Sequence, residues 1–341
     1  MATKLENGQW RTQVLISEPG APRKYKSFYG LSEDEADFKA LEYKLGKKKS
    51  DDKSLMTIAQ AVDAYIELRR PVLSPSTIRG YVAIQRNYIS DTIASKKIAD
   101  VEYLLIQSEA NRLSAEFSVK TAKNTIGLIT AAIKVYRPDF AMREISYPKK
   151  KKKAYATPDG NGLAEIFRVT QGTNAEGPVL LASWLSLRAS EVVGLKWEDI
   201  HEDYLNIDTA IVLGESGAVE KGTKTDGSER KIPLPPFIRE KLLALPRAGK
   251  HVFEGVSASA ISKRFHKVLL KNNLPLCRFH DLRHANASIM LMLGVPDKYA
   301  MERGGWTTTS VLKGVYQQTF TSEQKAVDER IDNYFLGLMQ Q

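Results

Sequence analysis

The sequence predicts a multidomain chain: a small α+β N-terminal module, an all-α helical bundle, and a mixed, mainly-α C-terminal domain with short strands. Three observations predict it. Strand-like alternation with one helix fills the first fifty residues. Apolar residues at three-and-four spacing then run from about Leu55 to Pro138, and helices and strands mix beyond a run of five lysines, Lys149 to Lys153. At 341 residues and 43% hydrophobic content, the chain can build two or three separate cores.

In the N-terminal module, "GQWRTQVLI" and "KYKSFYG" read as strands joined by the turn "SEPGAP". The helix that follows opens with Ser32 and Glu35 at capping-box spacing and offers Phe38, Leu41 and Leu45 to one face. Four segments then carry helical periodicity: "TIAQAVDAYIELRR", "SPSTIRGYVAIQRNYI", "YLLIQSEANRLSAEF" and "SVKTAKNTIGLITAAIKVY". Ser74 and Pro75 form an N-cap and first-turn pair. The lysine run repels itself and reads as an extended linker. Beyond it, "GLAEIFRVT", "PVLLASWLSL", "ASEVVGLKW", "ASAISKRFHKVLLKN" and "ANASIMLMLG" read as helices, and "YLNIDTAIV" and "ERKIPLP" as strands. The domains are therefore placed at 1–50, 54–146, a basic linker at 147–154, 155–320, and an amphipathic tail at 321–341.

Fifty Lys and Arg against 40 Asp and Glu give a net charge of +10, which suits a polyanionic partner. The single cysteine, Cys277, excludes an internal disulfide and points to a reducing compartment. No apolar run approaches the roughly 18 residues of a membrane span, and the N-terminus lacks a signal-type apolar stretch, so a cytoplasmic protein is expected. There is no P-loop, no Rossmann glycine spacing and no zinc-protease or nucleophile-elbow motif; neither a metal nor a nucleotide cofactor is expected.

What remains are basic residues in apolar surroundings. Arg188 interrupts the apolar stretch "SWLSLRASEVVGLKW", where a buried guanidinium needs a partner; Glu191 or a phosphate would serve. Arg283 in "HDLRH" poses the same problem, and two forked guanidiniums can clamp one phosphodiester. His280, three residues before Arg283, shares its face if the segment is helical, and a neutral imidazole suits proton transfer near pH 7. Tyr316 follows Trp306 by ten residues; a phenol attacks only with cationic neighbours.

In this order the motifs resemble the tyrosine recombinase, or phage integrase, family: "LRASE" with Arg188, "TKTDGSERKIPL" with Lys224, "HDLRH" with His280 and Arg283, "GGW" with Trp306, and "VYQQT" with Tyr316. The resemblance implies a catalytic domain with a small antiparallel sheet, preceded by an arm-type DNA-binding module and a helical core-binding domain. It implies that Tyr316 attacks the scissile phosphate to give a 3′-phosphotyrosyl link, and that Arg188 and Arg283 bind the non-bridging oxygens. Lys224 would protonate the departing 5′-oxygen, His280 would act in acid/base catalysis, and Trp306 would hydrogen-bond through its indole and pack beneath the phosphate. Lys221, three residues from Lys224, is the other candidate lysine. Most members carry histidine at the position of Trp306, which shifts acid/base work to His280 and Lys224.

The same resemblance implies no metal or ATP, double-stranded DNA with core and arm recombination sites, a homotetramer on that DNA, and excisionase and a host DNA-bending protein as further partners. The tail would dock on a neighbouring subunit. A type IB topoisomerase would share the chemistry without strand exchange, and a catalytically silent DNA-binding accessory protein would share the basic surface. The arm-like module and the tail argue for integration or excision of a phage or conjugative element. The presence of Tyr316, both arginines and His280 argues against a silent protein.

Overall fold

The computed structural model describes residues 2–5, 8–17, 22–30, 32–37, 39–41, 43, 55–141, 143–149, 157–222 and 229–316, with backbone only at 311 and 314–316. The chain divides into two compact units, Met1–Lys151 and Lys152–Gln341, with the division inside the lysine run. Among the described residues, no helix is long and apolar enough to cross a membrane.

The first unit begins with a three-stranded antiparallel sheet in the order β1 (Thr3–Lys4), β2 (Trp10–Leu15), β3 (Tyr25–Gly30). Trp10 faces Gly30 and Leu15 faces Tyr25 across the β2–β3 pair. A helix, α1, follows within residues 33–41, and the Glu35 N–H donates to Ser32 Oγ at 3.2 Å as the capping pattern requires. Its buried face differs from the one the sequence suggests. Ala36 and Ala40 are buried with Val14, whereas Leu41 is 54% exposed, because close packing on the sheet selects small side chains. Phe38 and Leu45 lie outside the described residues.

The helical part follows the periodicity closely: α2 (Ile58–Arg69), α3 (Pro75–Tyr88), a single turn α4 (Asp91–Ala94), α5 (Tyr103–Glu116) and α6 (Val119–Tyr136). Thr57, Ser74 and Ser118 each accept a backbone N–H from the first helical turn, which fixes where three of these helices start. Along α6, Ala122, Ile126, Ile129 and Ile133 recur at three-and-four spacing and are all buried against Ile58, Val62, Ile106 and Leu113.

The second unit packs α7 (Gly160–Thr170), α8 (Glu176–Trp184), α9 (Ala189–Gly194), α10 (Pro236–Leu243), α11 (Ala258–Lys271) and α12 (Phe279–Met292) around Leu181, Val192, Leu205, Ile232, Phe265 and Leu282, and α13 (Asp297–Gly304) and α14 (Thr309–Tyr316) pack on α12 about a second, smaller cluster. In place of one sheet there are two antiparallel ribbons. The segment "YLNIDTAIV" is not one strand: Asp208 accepts from Asn206 Nδ2 and Thr209 Oγ1, and the chain breaks there into β4 (Tyr204–Ile207) and β5 (Thr209–Leu213). β4 pairs with β7 (Arg230–Pro233), and β5 pairs with a strand the alternation does not announce, β6 (Ala218–Gly222).

Candidate active site

α12 begins at Phe279, six residues before the stretch whose apolar content marks it in the sequence, because its first turn is capped by charge. Asp281 accepts the Arg278 N–H at 2.7 Å and Arg278 Nη2 at 2.6 Å, so a buried carboxylate sits at the positive end of the helix. His280, Arg283 and His284 therefore lie within one helical turn, and the two imidazoles meet edge to face at 4.6 Å.

Arg283 is only 2% exposed. One guanidinium nitrogen, Nη1, donates to the Ser186 carbonyl, and Nη2 is buried without a partner. Burial, helped by the like charges of Arg188 and Arg230 and opposed by Glu191, pushes the group down to about 9. It remains charged at neutral pH. A buried cation with an unspent donor favours an anionic ligand.

Arg188 does not interrupt a helix. α8 ends at Trp184, Ser186 takes a left-handed φ of 62°, and Arg188 becomes the residue that caps α9. Its backbone N–H donates to Glu191 Oε2 at 2.9 Å, its Nη1 to Glu191 Oε1 at 2.6 Å, and its Nη2 to the Gly305 carbonyl at 2.8 Å. The side chain is 37% exposed, so the guanidinium still meets solvent.

Glu191 is buried, which alone would raise its carboxyl, but Arg230 and Arg188 hold it down at about 2. Arg230 enters from β7 and donates to Glu191 Oε2 at 2.9 Å. Two guanidiniums thus grip one carboxylate and Arg283 lies close enough to feel its charge, a local excess of two positive charges. In the sequence, Arg230 is the arginine of the stretch "KTDGSERKIPL", which gives it no role; the β4–β7 pairing turns it inward.

The "GGW" motif closes α13. Gly305 adopts φ 63°, ψ 47°, and the Trp306 N–H reaches back to the Met301 carbonyl at 3.0 Å, a Schellman-type ending. Both glycines are required by close approach as well. A Cβ at Gly304 would lie 1.8 Å from the Trp306 ring, and one at Gly305 2.9 Å from Arg230 Nη1. The Trp306 ring lies against Arg283, its centroid 4.3 Å from the guanidinium carbon, so the indole packs beneath an arginine. Trp306 also joins Ala287, Met290, Ala300 and Leu312 in a small core that seats α14, whose last residue is Tyr316.

His280 stands exposed at the edge of this cluster. Desolvation on its protein side, then His284 and the guanidiniums of Arg283 and Arg188, push its imidazole down to about 4, so it is neutral at pH 7. Lys221 lies on β6 opposite Ala210, while Lys224 lies outside the described residues, between β6 and β7. Of the six residues that the sequence points to, Arg188, His280, Arg283 and Trp306 come together around Glu191 and the Gly304–Gly305 turn.

Such a concentration of cationic donors beside a neutral imidazole suits an anionic ligand. Residues 162–323 match the phage integrase family model. The chain is 25% identical to the XerC-like tyrosine recombinase of Caldanaerobacter subterraneus subsp. tengcongensis, over 91% of this chain and 92% of that protein. It is 26% identical to the integrase of Mycobacterium phage L5 over 44% of each. Its fold is that of the Tn1549 transposon integrase solved with transposon right-end DNA, at TM-score 0.66 and 18% identity over 81% of this chain and all of that one. Lambda integrase bound as a tetramer to a Holliday junction is also similar, at TM-score 0.60 and 15% identity over 92% of this chain and 94% of that one. Residues 162–323 thus carry a phage integrase family domain, and the relatives that the chain resembles are named recombinases and integrases.

Proposed function

We propose that this chain cuts and rejoins duplex DNA through a 3′-phosphotyrosyl intermediate, integrating or excising a phage or conjugative element. The observation that carries this reading is the buried Arg283 guanidinium with an unpartnered Nη2, close to Arg188, which shares the Glu191 carboxylate with Arg230. A scissile phosphate supplies the missing acceptor.

In this mechanism Arg188 and Arg283 hold the non-bridging oxygens and offset the charge that builds in the pentacoordinate transition state. Tyr316 Oη attacks phosphorus, the bond from phosphorus to the 5′-oxygen breaks, and the phenolic proton passes to His280, which is neutral and able to accept it. Lys224 gives a proton to the departing 5′-oxygen. The phosphotyrosyl ester conserves the broken bond, so neither ATP nor a metal is needed. Trp306 holds Arg283 from behind.

The Tn1549 and lambda integrase structures, described with transposon DNA and as a tetramer on a Holliday junction, support duplex DNA as substrate and a tetramer as the working assembly. Residues 1–50 are assigned to arm sites, 54–146 to core sites, and the basic stretch 147–154 to the linker between domains. Residues 321–341, outside those described, are assigned to docking on a neighbouring subunit. Excisionase and a host DNA-bending protein are the further partners, and the site of action is cytoplasmic DNA.

The test is covalent trapping. The protein and its Tyr316→Phe variant are incubated with a nicked suicide duplex bearing the element's candidate core site, without metal or ATP, and resolved on a denaturing gel. An adduct from the unsubstituted protein alone is expected; tight binding without any adduct would overturn the reading.

A further inference from the structure

We propose that Arg230 is a positioning residue: it draws the Glu191 carboxylate away from Arg188, leaving the Arg188 guanidinium available to the scissile phosphate. The inference rests on the assignment of Arg188 to that phosphate.

Among the described residues Glu191 is the carboxylate that Arg188 and Arg230 both contact, and it is 3% exposed. Its two oxygens accept four donors. Oε1 takes Arg188 Nη1 at 2.6 Å and Arg230 Nη1 at 3.4 Å, while Oε2 takes the Arg188 backbone N–H at 2.9 Å and Arg230 Nη2 at 2.9 Å. The carboxylate is thus shared, and Arg188 holds it by one guanidinium nitrogen. A carboxylate left alone with one arginine tends towards the two-bond fork, the geometry a phosphate also needs. Removing Arg230 would let Glu191 close that fork on Arg188 and compete with the substrate for the same donors.

Arg230 also fixes where Arg188 points. Its Nε donates to the Arg303 carbonyl at 3.1 Å, and the bare Cα face of Gly305 lies over its guanidinium. The Gly305 carbonyl in turn accepts Arg188 Nη2. Strand β7, the end of α13 and the start of α9 are therefore joined through one side chain. Arg230 is 8% exposed and its fork faces Glu191, which marks it as a support for the phosphate-binding arginine.

The test uses the full-length chain and reads scissile-phosphate recognition at equilibrium. In a Tyr316→Phe background, Kd is measured for the core duplex and for the same duplex with an uncharged methylphosphonate at the scissile position. The ratio of the two should be about tenfold or more, as expected for charge-assisted contacts. With Arg230→Met the ratio should fall severalfold, Arg283 keeping its share. With Arg230→Met and Glu191→Gln together it should recover, because the competing charge is gone. With Tyr316 intact, adduct formation at saturating DNA should slow by about 100-fold in Arg230→Met, the usual cost of a misplaced group.

Thermal unfolding of each variant identifies those that fold. An unchanged ratio in folded Arg230→Met, or a double variant that folds without recovering it, would overturn the inference and leave Arg230 a stabilising residue only. Should Arg230→Met not fold, Arg230→Lys replaces it, keeping the charge without the fork; a reduced ratio supports the inference and an unchanged one overturns it. A ratio of one in the parent protein would instead remove the phosphate assignment of Arg188, and this inference with it.

Discussion

The guanidinium carbon of Arg283 sits 4.3 Å from the centre of the Trp306 ring, so the most deeply buried cation of the site is backed by an aromatic face. The ring also packs among Ala287, Met290 and Leu312, which makes the contact part of the seat of α14. Trp306→Ala should therefore cost about 3–5 kcal/mol of stability, as large-to-small core substitutions do. Trp306→Phe should cost much less and retain adduct formation, because a flat face remains under the arginine. Chemical denaturation of both variants checks the difference; equal losses would show that the aromatic face is unimportant.

Gly304 stands where a methyl group would lie 1.8 Å from that ring. Gly304→Ala should destabilise the protein by about 1–3 kcal/mol through overpacking and should slow adduct formation as the ring moves. A melting temperature equal to that of the parent would refute the close approach.

Glu191 titrates near 2 in the folded chain against 4.5 for a free glutamate. Its folded value is depressed, so the stability it contributes is present above pH 4.5 and is lost as pH falls towards 2. The contribution is about 3 kcal/mol at neutral pH. Glu191→Gln should flatten the acid limb of the stability curve over that window. An unaltered limb would mean that the carboxylate is not held by Arg188 and Arg230.

His280 has its folded value depressed to about 4 from 6.5. The neutral form is favoured by folding, so its contribution is complete above pH 6.5 and is lost as pH falls towards 4. In the DNA-free protein, the His280 imidazole should show no titration by NMR between pH 6 and 8. A midpoint near 6.5 would show that neither desolvation nor the neighbouring His284 and arginines act on it.

Much of this site can be read from the sequence because its parts are local. "HDLRH" places His280 and Arg283 within one turn of whichever helix contains them, and "GGW" fixes Trp306 by its glycines. Arg230 is not legible in this way. Its inward turn depends on β7 pairing with β4 and on Glu191 facing it from α9, relationships that no spacing along the chain expresses. The β6 strand escapes notice because "SGAVEKG" has too few apolar residues to alternate, and Asp208 breaks "YLNIDTAIV" through its own side-chain hydrogen bonds. Leu41 misleads for the opposite reason: it has the spacing of a core residue, but the sheet accommodates Ala36 and Ala40 instead.

The end of α8 has an electrostatic consequence. A helix carboxyl terminus carries about half a negative charge and would repel a DNA strand brought close to it. Here the Ser183 and Trp184 carbonyls accept from Asn286 Nδ2, the Trp184 carbonyl also from Arg303, and the Ser186 carbonyl just beyond from Arg283. Two guanidiniums and an amide thus mask the pole of the helix. The negative pole that the backbone alone would present is thereby covered by positive side chains.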